Sequence, residues 1–527
     1  MTRPVIIGAG HNGLVAAAYL ARAGLRPLVL ERRSEVGGCA GTHQLCPGFR
    51  VPTVSHACAM RPQVIADLEL AAQGVRFVTP AAALWAPAGG GRALTVFRDP
   101  ARTVEGLRAL SLRDAERWPE LVAATRDVAD VIDALMAQTP PSIDRPSPSD
   151  IWQTLQIGRR IRGMGRERLY QLLRWGPMSI ADFAAEWCET DLLRAVICAR
   201  GVFGAMAGPR SAGTTAAWML QAGLEGEPAG APTFVVGGPA SLAAALAVAA
   251  TSAGAEIRRD AHVQAVAVGD DGVTGVTLAN GEEIATSRVI SAADVKHTLL
   301  ELVEPVWLPP TFRQQISNIR AHGVTAKINL ALEGLPRFTA LAQGSLPPEQ
   351  VLAGRIHIGA AVDDLERAYD CAKYGRVSDR PWLEVTFPSL ADPDLAPPGR
   401  HVASIYAQWM PRRLRDTDWT AARTAVRDRI IGTLAEHAPD LPSRIMADEV
   451  LTPLDLEREY GLAGGHVFHG EHTLDQLYTM RPVLGWAQYR TPIAGLFLCG
   501  AGTHPGGGIT GGPGALAARA VLKDAKR

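Results

Sequence analysis

Residues 4–31 constrain the fold of this chain more than any other stretch. They read PVIIGAGHNGLVAAAYLARAGLRPLVLE, which is a β-branched run, a Gly-x-Gly-x-x-Gly loop, an amphipathic helix and a second apolar run ending in Glu31. This order is typical of a βαβ unit that binds a dinucleotide. Gly8 permits the tight turn, Gly10 lets the backbone approach a pyrophosphate, and Gly13 lets the helix pack closely on the strand. Glu31 is placed to accept both ribose hydroxyls and would repel a 2′-phosphate, so the sequence disfavours NADP.

The loop alone does not distinguish NAD from FAD. A second glycine pair, Gly37 and Gly38, follows Glu31 in the sequence SEVGGCAGT. Such a pair lets backbone amides meet a second portion of a long cofactor. FAD is long enough to need this second contact, and we therefore expect FAD.

The overall charge predicts a small-molecule partner. The 527 residues include 53 Lys and Arg and 53 Asp and Glu, so the formal net charge is zero. This balance gives no indication of a nucleic-acid surface or a polybasic membrane patch. The length is enough for the cores of two to four domains, and the 47% of hydrophobic residues is ordinary for a globular protein.

The cysteines and apolar runs suggest a compartment. The seven cysteines are scattered, with no Cys-x-x-Cys pair and no metal-ligand spacing, so we expect a reducing compartment, no redox disulfide and no metal. The first strand begins near residue 4, which leaves no room for a signal peptide, and the apolar run 239–250 is too short to span a bilayer. We expect a cytoplasmic protein, with peripheral membrane contact left open and the oligomeric state unreadable.

The rest of the chain interrupts the nucleotide-binding pattern and later resumes it. Residues 61–230 alternate helical patterns with proline-rich breaks and carry no phosphate loop. Strand-rich runs separated by Asp-Gly and Asn-Gly turns follow, and near the C-terminus LFLC enters a glycine-rich loop. A nicotinamide dehydrogenase normally completes its cofactor domain contiguously, whereas large flavoproteins of the glutathione-reductase type interrupt theirs. The predicted fold is α/β, with a glutathione-reductase-type Rossmann FAD-binding domain from 1–60, 231–300 and 485–527 and an inserted α+β substrate domain from 61–230 and 301–484.

Several motifs, in order along almost the whole chain, resemble one family. They are GAGHNGLVAAAYLARAG, ERRSEVGGCAGT, GGPASL, GAEIRRDAHVQAV, GHVFHGEHTLDQLY and LCGAGTHPGGGITGG. Together they resemble the phytoene desaturase group of the FAD-dependent amine oxidase superfamily. They are particularly similar to the branch of pyridine nucleotide-disulfide oxidoreductase domain-containing protein 2 and the cyanobacterial-type carotenoid ketolases. The resemblance implies a two-domain flavoenzyme with its isoalloxazine ring at the domain border.

The resemblance also implies roles for individual residues. The pyrophosphate would be held by Gly8, Gly10, Asn12 and Gly13, with His11 also in contact with the cofactor. Glu31 would bind the ribose, Arg32 would lie near the adenosine, and the backbone of Val263 would meet the adenine. The cofactor beyond would be lined by Gly37, Gly38 and Thr42. The phosphate and ribityl side would be approached by Gly500 and Ala501, while Gly508, Ile509 and Thr510 would lie under the flavin ring.

Catalytic side chains are less constrained, because hydride transfer to flavin N5 needs no protein nucleophile. His504, in the C-terminal glycine-rich loop, is the histidine we expect nearest the ring, with a purely loop-structuring role as the alternative. Lys327 in VTAKINLAL is a second candidate, because some amine oxidases use a lysine beside N5. A lysine on the exposed face of a half-buried strand is the commoner arrangement, and we favour it here.

Other polar residues could face the cavity. For His466, His469, Asp475 and Gln476 we favour a bracing role over a cavity-facing one. His56 and Cys39 are further candidates, although nothing in the sequence supports a covalent flavin link at Cys39.

The leading interpretation is an FAD-dependent oxidoreductase that desaturates or oxidises a largely apolar, carotenoid- or isoprenoid-like substrate. A flavin amine oxidase is the alternative enzyme. A protein that retains FAD for an interaction or scaffold role, with little turnover, is the alternative of another class. A nicotinamide reductase is disfavoured, because no second Gly-x-Gly-x-x-Gly follows a strand.

Overall fold

A computed structural model describes residues 3–144, 146–342 and 346–526. The strands are β1 (Val5–Ile7), β2 (Leu28–Leu30), β3 (Thr42–Cys46), β4 (Phe49–Pro52), β5 (Phe77–Val78), β6 (Ala82–Pro87), β7 (Ala93–Phe97), β8 (Phe234–Val235), β9 (Glu256–Arg258), β10 (Val263–Gly269), β11 (Gly272–Leu278), β12 (Glu283–Ala285), β13 (Val289–Ser291), β14 (Thr325–Leu332), β15 (Arg355–Ile358), β16 (Leu383–Thr386), β17 (His401–Gln408), β18 (Ile445–Leu451) and β19 (Leu496–Leu498).

The α-helices are α1 (His11–Arg22), α2 (Pro62–Asp67), α3 (Pro100–Arg108), α4 (Leu112–Met136), α5 (Pro148–Gly163), α6 (Gly165–Trp175), α7 (Ile180–Trp187), α8 (Asp191–Val202), α9 (Thr214–Glu225), α10 (Pro239–Ser252), α11 (Val295–Leu300), α12 (Pro310–Ser317), α13 (Pro348–Leu352), α14 (Val362–Lys373), α15 (Pro388–Ala391), α16 (Trp419–Ala435), α17 (Leu441–Arg444), α18 (Pro453–Tyr460) and α19 (Gly512–Ala525). Short 3₁₀ turns lie at Gly38–Ala40, Gly89–Gly91, Pro305–Trp307, Thr339–Leu341, Pro393–Leu395, Ala463–Gly465, Leu474–Gln476 and Tyr478–Met480.

One parallel sheet forms the nucleotide-binding half of the molecule. Within the described residues its order is β19-β13-β1-β2-β9, so adjacent strands come from both ends and the middle of the chain. Ile6 of β1 pairs with Val29 of β2 on one side and with Ile290 of β13 on the other. Strands β1, β2 and β13 are fully buried and apolar except for Ser291, as expected for a sheet covered on both faces. This three-segment sheet confirms the predicted fold class.

Alanine-rich helices cover one face of this sheet. Ten of the twelve residues of α1 are buried, and α10 and α19 pack against it in the same core. The small side chains allow close approach: a Cβ added at Gly514 of α19 would lie 2.2 Å from the carbonyl oxygen of Asn12 in α1. The antiparallel strands β10, β11 and β12, at the predicted Asp-Gly and Asn-Gly turns, pack with α11 and α12 on the other face.

A second, mixed sheet supports the other half. Its order within the described residues is β18-β14-β17-β16-β15-β6-β7, antiparallel throughout except for the β6–β15 pair. All eight residues of β14 are buried, because helices and the β3–β4 hairpin cover the sheet. Helices α3, α4 and α7–α9 build a separate aromatic-rich core beside it. None of the helices in the described ranges is long and apolar enough to cross a bilayer.

Candidate cofactor and substrate site

A groove runs along the carboxyl edge of the parallel sheet. The chain enters this groove directly after four strands: Gly8 follows β1, Glu31 follows β2, Ala292 follows β13 and Ala501 lies just beyond β19. Ligands of open parallel sheets bind in the crevice outside the carboxyl ends of the strands. The sheet topology therefore brings these sequence-distant segments to one binding site.

The glycine-rich loop has the geometry that a pyrophosphate needs. Gly8 has a φ of +92°, which a side chain would strain, and a Cβ at Gly13 would lie 2.1 Å from the Gly8 carbonyl oxygen. A Cβ at Gly10 would meet no atom within 4 Å, so this glycine faces open space in the groove. Because α1 begins at His11, its first-turn amides and dipole favour an anion there.

Backbone amides hold the carboxylate of Glu31. Its Oε2 accepts a hydrogen bond of 2.7 Å from the Ala9 amide, and its Oε1 accepts one of 3.0 Å from the Arg33 amide. The side chain is only 6% exposed and lines the groove. Fixed in this way, the carboxylate retains free lone pairs toward the groove, as ribose recognition requires.

The predicted cofactor residues fall into two groups. Those lining the groove are Gly8, Gly10, His11, Asn12, Gly13, Glu31, Arg32, Gly38, Val263, Ala501, Gly508 and Ile509. Those forming a layer behind it are Gly37, Thr42, Gly500 and Thr510. Examples from this layer are the Gly37 amide, which donates to the Ala9 carbonyl (2.9 Å), and the Thr42 hydroxyl, which accepts from the Ala240 amide (3.3 Å). The second group supports the loops that form the groove.

The groove also contains an ion pair that the sequence reasoning missed. His469 Nδ1 lies 3.1 Å from Asp294 Oδ2, and Cys39 is next to the same imidazole. Burial opposes protonation, but the hydrogen bond to Asp294 raises the pKa of His469 to about 9. His469 therefore lines the groove as a cation, in addition to any bracing role. The position of Asp294, three residues after β13, was the available signal.

A second cavity, of about 370 Å³, adjoins the groove. Ser55, Val467, Gly508 and Ile509 line both spaces and mark their junction. Apolar side chains of the second cavity are Cys58, Met60, Ile65, Phe77, Phe203, Leu224 and Phe468. A ring bound at the junction would thus face a substrate space on the side away from the phosphate loop.

A buried polar strip forms another wall of this cavity. Arg355 makes a bidentate contact with Glu225 (2.7 and 2.8 Å), and its Nε lies 3.2 Å from Glu384. Arg200 also bonds Glu384, and His56 Nε2 lies 3.3 Å from it. Burial alone would raise the pKa of Glu384, but Arg200 and Arg355 hold it well below its usual value. The strip therefore keeps the carboxylates of Glu225 and Glu384 ionised although they are buried.

Lys327 is fully buried, so the favoured exposed-face interpretation was wrong. Lys327 lies on β14, and other parts of the chain pack on both faces of this strand. The sequence of the strand itself does not show that both of its faces are buried. Lys327 Nζ contacts Ser404 Oγ, lies 3.1 Å from His56 Nδ1 and sits 4.3 Å from the centre of the Tyr406 ring. Burial lowers its pKa to about 7. Lys327 lies behind His56 and Tyr406, which themselves line the cavity.

His504 lines neither the groove nor the second cavity. Its Nε2 lies 3.2 Å from the carbonyl oxygen of Leu135 in α4, and its ring meets Tyr478 edge-on. Burial lowers its pKa to about 3, so the imidazole is neutral. These contacts join the C-terminal loop to α4, which is a loop-structuring geometry.

The Asp475 region has a bracing geometry. Asp475 bonds Arg320 at 2.7 and 2.8 Å, and the Gln476 amide both accepts from and donates to the Arg320 backbone. Buried His466 accepts from the Phe468 amide at 3.1 Å and lines neither space. These residues hold the segment that carries His469 and Phe468.

The donor set fits an organic cofactor. In the described ranges, no three His, Cys, Asp or Glu side chains are arranged to hold a metal ion. All seven cysteines are free thiols. The groove instead offers a helix N-terminus, a ribose-facing carboxylate and a cationic histidine along one continuous channel.

Comparison with known proteins gives matches along the whole chain. Residues 6–68 match the family described as NAD(P)-binding Rossmann-like domain, and residues 180–522 match the family described as flavin containing amine oxidoreductase. Pyridine nucleotide-disulfide oxidoreductase domain-containing protein 2 of Rattus norvegicus is 36% identical over 99% of this chain and 93% of its own length. A limonene dehydrogenase component of Castellaniella defragrans is 29% identical over 99% and 94%. The lycopene-forming phytoene desaturase of Pseudescherichia vulneris is 27% identical over 97% and 96%.

A solved structure shares the fold. Wild-type putrescine oxidase bound to putrescine superimposes with a TM-score of 0.62 at 17% identity, covering 100% of both chains. At this level of identity, the likeness extends to the fold alone.

Proposed function

The chain belongs to the flavin-containing amine oxidoreductase family and uses FAD, and from this premise we propose that it desaturates or oxidises a largely apolar, isoprenoid-like substrate. The observation that carries the proposal is the junction of the two cavities at Ser55, Val467, Gly508 and Ile509. The phosphate loop and Glu31 would hold the adenosine end, so the flavin end would lie toward this junction. The apolar wall of the second cavity then faces the flavin end.

The volume of the cavity restricts the size of the substrate. Its volume of about 370 Å³ is near the lower end of the ~300–1,000 Å³ typical of small-molecule sites. A compact apolar substrate fits such a space better than a long polyene. The names of limonene dehydrogenase and phytoene desaturase, two relatives of this chain, support an isoprenoid class.

The residues of the chain act by positioning. Bound FAD would supply the hydride acceptor, and no protein nucleophile is needed. Phe203 and Phe468, whose ring centroids lie 5.7 Å apart, give the cavity an apolar wall near the junction. His56 is held between Glu384 and Ser404 and is neutral, because burial lowers its pKa to about 3. Both ring nitrogens are engaged, Nε2 by Glu384 and Nδ1 by Ser404, so the neutral imidazole acts by positioning the cavity wall and not by exchanging a proton.

The experiment is anaerobic reduction of the purified yellow holoprotein. A panel of isoprenoid alcohols and hydrocarbons is compared with aliphatic amines, and bleaching of the flavin absorbance is followed. We expect bleaching with isoprenoids and none with the amines. Bleaching by amines alone would favour the amine oxidase alternative, and bleaching by no compound, together with a specific protein partner, would favour the scaffold alternative.

A further inference from the structure

The cavity beside the flavin end has more guanidinium groups than carboxylates. Its charged lining residues are Arg61, Arg98, Arg200, Arg355, Asp133, Glu225 and Glu384. Each of the three carboxylates has a guanidinium at salt-bridge distance. Arg98 is the lining arginine without a carboxylate partner among the described residues. The cavity therefore contains one positive charge that no acid neutralises by contact.

The contacts of Arg98 leave one end of its guanidinium free. Nε donates to the Pro80 carbonyl at 3.2 Å, and Nη2 donates to the carbonyls of Ala231 (3.3 Å) and Pro232 (2.8 Å). Within the described residues, no protein acceptor contacts Nη1. The guanidinium is half-buried and lines the cavity, so its free N–H groups are available to a ligand.

Arg98 lies at the end of the polar strip opposite the junction. The contacts from the junction outward run through His56, Glu384, Arg355, Glu225, Ala231 and Arg98. His56 is adjacent in sequence to Ser55, a junction residue. A ligand group on Arg98 would therefore leave the rest of a molecule extended along the apolar wall toward the flavin end.

We infer that the substrate is amphipathic, with a carboxylate that binds Arg98 and an apolar part that reaches the junction. The inference rests on the proposed function, because it takes this cavity as the substrate site. Guanidinium groups recognise carboxylates through strong, charge-assisted hydrogen bonds. Glu225 and Glu227 act on Arg98 only at longer range, so an ammonium in contact with the guanidinium would be repelled.

Binding is tested with three probes that share one carbon skeleton: geranic acid, geraniol and geranylamine. Each is titrated into the holoprotein, and the perturbation of the flavin spectrum gives a dissociation constant without requiring turnover. We expect the acid to bind at least tenfold more tightly than the alcohol and the amine. Equal binding of the three, tighter binding of the amine, or binding of none would overturn the inference.

Arg98 is tested by substitution. Arg98→Met should remove the preference for the acid while the protein keeps its FAD, and Arg98→Lys should restore part of it. Arg113→Met, which removes an exposed arginine of α4, is the charge control. An acid preference that survives in a folded Arg98→Met variant contradicts the assignment. If the acid binds but no probe bleaches the flavin, the carboxylate site stands and the proposed reaction fails, so the two failures are distinguishable.

An independent observation concerns the surface formed by α5 and α6, which we call the α5–α6 face. Ile157 is the one buried residue of the sixteen in α5. The large apolar side chains on this face that are more than half exposed are Ile151, Trp152, Leu155, Tyr170 and Leu173. Their spacing places Trp152 and Leu155 on one side of α5, and Tyr170 and Leu173 on one side of α6. A cluster of exposed apolar groups of this kind marks an interaction site.

The same face is strongly basic. Among the described residues, Arg159, Arg160, Arg162 and Arg166 have no salt-bridge partner, whereas Arg168 and Arg174 pair with Asp127 and Glu186 of other helices. The acids of the two helices are Asp150 and Glu167. Arg159 lies over the Trp152 ring and Arg166 over the Tyr170 ring. The chain as a whole is neutral, so the excess charge is local.

Helix α6 is joined to α4, which also borders the cavity. Arg168 of α6 bonds Asp127 of α4 at 3.0 Å. Asp133, which lines the cavity, is six residues further along α4, or about 9 Å at 1.5 Å per residue. We propose that this face docks on an anionic lipid bilayer, with its apolar side chains in the interface and its arginines on the head groups.

Vesicle sedimentation of the holoprotein tests the proposal. Binding to vesicles of phosphatidylcholine with 30% phosphatidylglycerol should exceed binding to pure phosphatidylcholine and should fall with salt. Trp152→Ser with Leu155→Ser should reduce the bound fraction at least fivefold, and Arg160→Gln with Arg162→Gln should weaken binding to anionic vesicles. Val306→Ser, at an exposed apolar residue elsewhere, is the control. No vesicle binding, unchanged binding in the first variant, or self-association through this face in light scattering would overturn the proposal.

Discussion

Lys327 shows how the environment of one residue sets its chemistry. Burial lowers its pKa to about 7, whereas an exposed lysine titrates near ~10.4. Between these pH values the unfolded chain binds the proton and the folded chain does not, so stability rises with pH through this window. The free energy of unfolding of the wild type, relative to Lys327→Met, should therefore increase by up to about 4 kcal/mol from pH 7 to 10. Urea unfolding of both proteins across this range measures the difference.

The control for this experiment is Lys523→Met, which removes an exposed lysine of α19. The difference in free energy of unfolding between this variant and the wild type should change little with pH. If the free energy of unfolding of Lys327→Met also differs from that of the wild type by the same amount at every pH, the buried amine is protonated in the folded protein across this pH range. The lysine would then be a permanent cation beside His56.

His469 gives a prediction about the cofactor at the same scale. The titratable groups around its imidazole are Asp294, Cys39 and, through space, His11 and His466. Its pKa of about 9 means that the positive charge is present at neutral pH and is lost as the pH rises through 9. FAD is an anion, so we expect its affinity to fall between pH 8 and 10 in the wild type. His469→Gln should weaken FAD binding about tenfold at pH 7, or ~1.4 kcal/mol, and remove this pH dependence.

Fluorescence titration of the apoprotein with FAD gives these dissociation constants. Asp294→Asn should move the midpoint of the fall to lower pH, because the partner that raises the pKa is gone. An unchanged affinity in His469→Gln would place the imidazole outside the reach of the cofactor charge.

At the scale of elements, helix α18 supplies one wall of the adenosine end of the groove. Thr452 and Asp455 form a capping box at its start, and its end leads to Tyr460 and Gly461, which line the groove. Loss of such a cap costs about 1 kcal/mol. Thr452→Ala should therefore lower the melting temperature and weaken FAD binding severalfold.

Ser147→Ala is the matched control, because Ser147 and Asp150 form the same box at the start of α5, outside the groove. It should lower the melting temperature to a similar extent and leave the FAD affinity unchanged. If both variants weaken FAD binding equally, the lower FAD affinity of Thr452→Ala comes from a general loss of stability and not from a change at the wall of the groove.

The sequence was most predictive where one short segment carries the signal. The βαβ unit at 4–31, the hairpin turns near 272 and 281 and the C-terminal strand and helix lie where the pattern predicts them. The relatives confirm the family resemblance, including the phytoene desaturases at lower identity. These features depend on local periodicity and turn chemistry, which a sequence displays directly.

The sequence was least predictive where contacts join distant segments. The polar strip combines Arg200, Glu384 and Arg355, which no local spacing connects. The local sequence around Lys327 led us to expect an exposed side chain. The residues that bury it lie in distant segments, so the local sequence does not show that Lys327 is buried. The assigned domain boundaries and the catalytic roles of His504 and Lys327 stay predictions. The glycine-rich loops were readable because they repeat a motif, whereas the cavity with its polar strip is made only by folding.

For the whole molecule, FAD should act as a bridge. The groove combines the three segments of the parallel sheet with α18 and the segment that carries His469, and it meets the cavity at the junction. A ligand that binds only the folded state stabilises it by RT ln(1 + [L]/Kd), or ~4 kcal/mol at a thousand times Kd. FAD should raise the melting temperature of the apoprotein by several degrees, and ADP should raise it less because it leaves the junction empty. Scanning fluorimetry checks this order, and an equal shift by ADP and FAD contradicts the bridging role.

The pairing of the first strand with the last segment also has a consequence for biosynthesis. β1 emerges from the ribosome first, yet its sheet is completed by β19, and α1 receives one of its two covering helices only when α19 is made. Domains usually fold as units in the order of synthesis. Here the nascent nucleotide-binding half must wait, with the apolar side of α1 uncovered, until nearly five hundred residues have been translated. We therefore expect a chain truncated before β19 to expose the apolar side of α1.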